Sequence, residues 1–166
     1  MTAASVDAPD ASRTVAPMVT ARFACVALVL VVSSCGASGS SQPEAAQTCV
    51  DTINTYRATL SLPPYTAWTE GESCADGEAA SDSASGHAHG DFGTCHEHAQ
   101  NECPGWPGPP NTMIPRCLAQ MWAEGPGADF MTHGHFINMS STQYTQVACG
   151  FHVNGDGSVW SVQNFR

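Results

Sequence analysis

The chain is predicted to form an α+β domain, on three observations. Two stretches carry apolar residues at helical spacing with an alanine-rich stretch between them, two segments near the C-terminus read as strands, and a turn-forming Asn154-Gly155-Asp156-Gly157 joins those two. Helices followed by a terminal hairpin call for a layered arrangement in which helices cover an antiparallel sheet.

The elements follow in order. Val50, Ile53, Tyr56, Ala58 and Leu60 mark a first helix over about Glu44 to Leu60, stopped by Pro63-Pro64. Thr69 is placed to cap a second helix from about Glu70 to Ser83, where acids favour the first turn, alanines the interior and Gly86 the end. Gly90 to Pro110 is dense in Gly, Pro and Cys and reads as a long irregular segment. A third helix spans about Met113 to Glu124, with Ile114, Leu118 and Met121 on one stripe and Gly125-Pro126-Gly127 closing it. A short turn is expected over His133 to Asn138, then strands over Tyr144 to Val153 and Val159 to Phe165.

Ahead of this domain, Phe23 to Val32 is an apolar run of about ten residues, too short to span a bilayer and suited to a signal-peptide core. Its basic flank is Arg22, so translation is expected to begin at Met18; Met1 to Pro17 is polar and lacks the character of an n-region. Val32-Ser33-Ser34-Cys35 resembles a bacterial lipobox, which makes residues 1–35 a signal peptide and Cys35 the lipidated N-terminus. Residues 36–47, rich in Ser, Gly and Ala, read as a flexible tether, and 48–166 as the domain. The expected localisation is the cell envelope, lipid-anchored to a membrane or secreted. Cys35→Ser in a chain expressed from Met18 should move the protein from the detergent to the aqueous phase; unchanged partition would sink the anchor.

Beyond Cys35 lie Cys49, Cys74, Cys95, Cys103, Cys117 and Cys149, an even set that predicts three disulfides of undetermined pairing in an exported domain. No lysine occurs, and fifteen acids face five arginines, which excludes nucleic acid as a partner. A monomer is expected.

Six of the seven histidines form His-x-His pairs: His87/His89, His96/His98 and His133/His135. Clustered imidazoles beside Glu97 and Glu124 suit Zn2+ or another divalent cation held by two imidazoles and one or two carboxylates. Gly134-His135-Phe136-Ile137-Asn138, followed by Tyr144-Thr145-Gln146-Val147-Ala148-Cys149-Gly150, resembles the Gly-His-aromatic signature and first closing strand of CAP domains, the cysteine-rich secretory, antigen 5 and pathogenesis-related proteins. Trp122-Ala123-Glu124 is similar to the family's tryptophan-led segment with a cavity acid, and Val162-Gln163-Asn164-Phe165 to its closing strand. The likeness covers about Cys49 to Arg166 and implies an αβα sandwich. It also implies a cavity tetrad of His89, Glu97, Glu124 and His135, with Glu97 in place of the acid of the Gly-Glu-Asn motif. His87 is the alternative to His89. His96 and His98 depart from the motif's glycine and asparagine. Function is expected to be that of an envelope binding module for a lipid, peptide or protein, the alternative being a zinc-dependent hydrolase or peptidase using the same cavity.

Overall fold

The computed structural model describes residues 41–166; Met18, the apolar run, Cys35 and the first part of the tether lie outside them. The elements are α1 (Ser41–Thr59), β1 (Thr66–Ala67), α2 (Thr69–Ser85), β2 (Ala99–Pro107), α3 (Pro110–Ala123), α4 (Phe130–Ser140), β3 (Gln146–Val153) and β4 (Ser158–Phe165). The four strands form one sheet in the order β1-β3-β4-β2, with β1 parallel to β3 and the other pairs antiparallel. The predicted hairpin is present, its strands joined where Asn154 to Gly157 turn.

The sheet is covered on both faces, as an αβα sandwich requires. On one face α2 packs Ala75 and Ala79 against Ala148 and Val162. On the other, Val50 and Ile53 of α1 and Ile114 and Leu118 of α3 enclose Val147, Val159 and Phe165. Alternate residues of β4 serve the two cores, so this strand has few exposed positions. Glycine is required at two positions, one for its backbone conformation and one for a close approach. Gly86 ends α2 at φ +70°, and a Cβ on Gly150 would run into the backbone of Ala75, so α2 lies directly on β3.

The three disulfides are Cys49–Cys149, Cys74–Cys95 and Cys103–Cys117. They tie α1 to β3, α2 to the loop before β2, and β2 to α3. Such bridges belong to an oxidising compartment outside the cytoplasm.

Four local expectations are corrected. Helix α1 begins at Ser41, so 41–47 is not tether: Ala45 and Ala46 are buried and Gln42 Nε2 donates to Phe151 O at 3.1 Å. Small residues that favour a linker in isolation here allow a helix close to the sheet. Thr69 does not cap α2; Trp68 occupies the cap position and makes no side-chain cap bond. Part of the supposedly irregular Gly90–Pro110 is β2, whose buried face is polar and escapes an apolar-alternation test. The turn expected over 133–138 lies within helix α4, started by Asp129, whose carboxylate accepts from Met131 N at 3.0 Å.

Arg57 anchors the end of α4. It is 1 % exposed, lies over the Tyr65 ring at 3.6 Å, and donates to the carbonyls of Pro63, Met139 and Ser141, each at 2.8 Å. Tyr65 donates to the carbonyls of Asn138 and Ser141, and burial pushes its phenol up to about 12. These bonds satisfy carbonyls at the C-terminus of α4 and hold the helix against α1.

Candidate functional site

Glu124 sits at the C-cap of α3 and His135 one turn into α4. The glutamate reaches across: its Oε1 lies 2.5 Å from His135 Nδ1, and its Oε2 accepts from the backbone N–H groups of His135 at 3.0 Å and Phe136 at 3.3 Å. A carboxylate can only accept, so Nδ1 of His135 carries the proton. His133 faces away from this chemistry; its Nδ1 caps the carbonyls of Glu124 and Gly125.

His89 comes from the loop after α2, with a backbone φ of +62° that few side chains adopt. Two buried groups hold it: Glu102 Oε2 accepts from its backbone N–H at 2.6 Å, and Gln100 Oε1 lies 2.7 Å from its Nδ1. Gln100 spends its Nε2 on Glu78 Oε2 and Asn164 Oδ1, which leaves Oε1 as the acceptor and makes Nδ1 of His89 the donor. Both imidazoles are thus fixed in one tautomer, and among the described residues neither Nε2 has a protein partner. His87 is exposed and bonds through its backbone to Ser85, so His89 is the cleft histidine of that pair.

Glu97 is elsewhere. It is buried, its Oε1 accepts from Gly93 N, and it lies beside Glu78 and the Cys95 sulfur rather than in the cleft. The acid that β2 brings to His89 is Glu102, preceded by Asn101. Glu102 also lines a hollow shared with Glu124 and His135. Gly93 and Thr94 turn the chain so that the Cys74–Cys95 bridge, and not the cleft, decides where Glu97 points. Gln100, Asn101 and Glu102 are therefore the residues the reading of motifs missed. Their signal was a run of polar residues between two cysteines: as a strand it places Gln100 and Glu102 on one face and Asn101 on the other. Asn101 donates to His135 O and accepts from Asn138, so β2 is tied to α4 beside His135.

The cleft has two contiguous parts sharing His89, Gln100, Phe130 and Asn138. One, about 190 Å³, holds Glu124 and His135; the other, about 280 Å³, is more apolar and lined by Phe92, Ala99 and Tyr144, with His98 at its edge. Phe92 and Phe130 are 49 % and 59 % exposed, so an apolar rim borders the histidines.

Glu102 is 3 % exposed, and burial pushes its pKa up to about 7, assisted by Asp82 and offset by the His89 N–H. Asp82, also raised by burial, anchors the same loop by accepting from Asp91 N at 3.0 Å. Asp82 Oδ2 and Glu102 Oε1 are both buried without a hydrogen-bond partner.

An open-sided sandwich with paired histidines and acids in its cleft defines a class of secreted αβα domains. The CAP sequence model, described as the cysteine-rich secretory protein family, matches residues 50–165, and the chain belongs to that family. No curated protein matches it. Among solved structures it is similar to BmVAL-1, at 15 % identity and a TM-score of 0.59 over 78 % of this chain and 79 % of that one. It is also similar to Na-ASP-1, at 12 % identity and a TM-score of 0.54 over 74 % of this chain, which spans 38 % of that longer protein. These likenesses show the fold.

Proposed function

We propose that this chain is an exported binding module, anchored through lipid at Cys35, whose cleft takes a divalent metal ion of the zinc class together with a ligand having an apolar part. The observation that carries the reading is the pair of imidazoles, each with Nδ1 tied to an oxygen acceptor and Nε2 left without a protein partner. That is how metal-binding histidines are held, the outer acceptor setting tautomer and orientation. His89 and His135 would be the ligands, with Glu124 and Gln100 behind them. His89 and His135 line the same part of the cleft, and among the described residues no group of three His, Cys, Asp or Glu side chains placed to hold a metal includes either of them. Coordination positions would therefore be left for water or ligand, and the apolar end of the cleft would take the ligand's body.

A second reading has one specific observation behind it. A carboxyl held near pH 7 beside the cleft, Glu102, is suited to general-base chemistry, the requirement of a zinc-dependent hydrolase. Turnover of peptides or esters that Glu102→Gln abolishes would favour it over binding alone.

The primary test is calorimetric titration of the metal-free protein with ZnCl2. Binding should weaken as pH falls through about 6.5, where unperturbed imidazole protonates. His135→Ala should remove most of it, and Glu124→Gln should weaken it by roughly 10- to 100-fold. Zinc affinity unchanged by either substitution would overturn the assignment.

A further inference from the structure

Four methionines lie among the described residues. Met113, Met121 and Met139 are no more than 4 % exposed and belong to the core, the usual place for a large apolar side chain. Met131 is 88 % exposed and belongs to neither core cluster. It stands one turn ahead of His135 on α4 and lines the same part of the cleft as His89 and His135. Residues four apart share a helix face, which is how the Met131 and His135 side chains come to border one hollow.

Solvent reaches both imidazoles, whose side chains are 44 % exposed in His89 and 37 % in His135. Neither Nε2 has a protein partner, and what the pair lacks is a third donor. Glu124 is engaged by His135 Nδ1 and by two backbone N–H groups, and Gln100 Oε1 by His89 Nδ1. No thiolate is on offer, because all six cysteines of the described residues are in disulfides. The Met131 thioether is uncommitted. Its side chain is unbranched and flexible, and at this exposure it gives up little packing when it turns towards an ion.

We infer that Met131 is a third metal ligand, which with His89 and His135 makes the cleft a copper(I) site, resting on the reading of the two histidines as metal ligands. A thioether is a soft, uncharged donor suited to copper(I). Zinc is instead bound through thiolate, imidazole and carboxylate, in sites of four ligands. Two imidazoles and one thioether satisfy copper(I), which accepts lower coordination numbers than zinc. Nitrogen and oxygen donors already favour copper over zinc among the divalent ions, and the sulfur extends that preference to the reduced ion. Glu124 and Gln100 would keep their part behind the rings, fixing each tautomer with Nε2 free.

The test titrates the metal-free full chain with copper(I), kept reduced by ascorbate and shared with bicinchoninate as competing chelator, and separately with ZnCl2. Met131→Leu should weaken copper(I) binding by at least about tenfold, the lower end of what losing a supporting group does to a metal site. It should leave the zinc isotherm unchanged, which also reports that the variant has folded. With isotopically labelled methionine methyl groups, the signal missing in Met131→Leu should shift in the wild type on adding copper(I) and stay in place with zinc. His135→Ala should lose both metals. Copper(I) held as tightly by Met131→Leu as by the wild type, or a Met131 methyl signal that copper(I) does not move, would overturn Met131 as a ligand. Zinc binding that His135→Ala removes would then leave the histidine reading standing. A wild-type chain that binds neither metal would overturn both.

Discussion

Replacing Cys49 and Cys149 together by alanine should lower the unfolding free energy by about 4–5 kcal/mol, the largest effect of any bridge in this domain. The bridge closes a loop with a sequence separation of 100, against 21 for Cys74–Cys95 and 14 for Cys103–Cys117. In the chain-entropy account a loop of about 100 residues contributes roughly 4.7 kcal/mol and one of about 15 roughly 3. Both half-cystines are fully buried, among residues that include Ile53 and Val147, so alanine also removes packed atoms from the core joining α1 to β3. Guanidinium unfolding of the three double variants under non-reducing conditions orders the bridges. A Cys103/Cys117 variant that loses as much as the Cys49/Cys149 variant would contradict the expectation.

The second large effect is with pH. Glu102 has a folded-state pKa of about 7 against an ordinary 4.5, so the folded protein holds a proton that the unfolded chain releases earlier. Its contribution is fully present below pH 4.5, declines as pH rises towards about 7, and is constant above that. A gap of about 2.5 pH units at 1.36 kcal/mol each sets a ceiling of about 3 kcal/mol. Burial also raises Asp82, Glu78, Asp76 and Glu72, and these act in the same direction. In EDTA, with no metal in the cleft, the domain should therefore melt at a lower temperature at pH 8 than at pH 5. Glu102→Gln should be more stable than the wild type at pH 8 and lose that advantage at pH 4.5. A melting temperature that stays level or climbs from pH 5 to 8 would refute this reading of the buried acids.

Legibility in the sequence differs between elements for physical reasons. The hairpin and α3 were legible because a local signal, turn residues or an apolar stripe, agrees with the packing that the element makes. Helix α4 was not, since Gly134 and the His-x-His pair suppress a helical pattern that Asp129, Phe136 and Met139 restore on packing. Strand β2 was not, because its buried residues include Gln100, Asn101 and Glu102 and their partners lie on α2, the loop after it, α4 and β4.

The same division runs through the site. By itself the sequence determined an α+β fold with three disulfides and the family, and it put forward His89, Glu124 and His135 as cavity residues with His87 as the alternative to His89. Only the tertiary structure decided which acid accompanies His89. Glu97 and Glu102 are five residues apart on one polar segment, and either could serve by residue type. The Cys74–Cys95 bridge turns Glu97 towards Glu78, while β-pairing with β4 carries Glu102 to the loop of His89. A side chain's direction after an irregular loop depends on cross-links and strand register, which are contacts between distant parts of the chain.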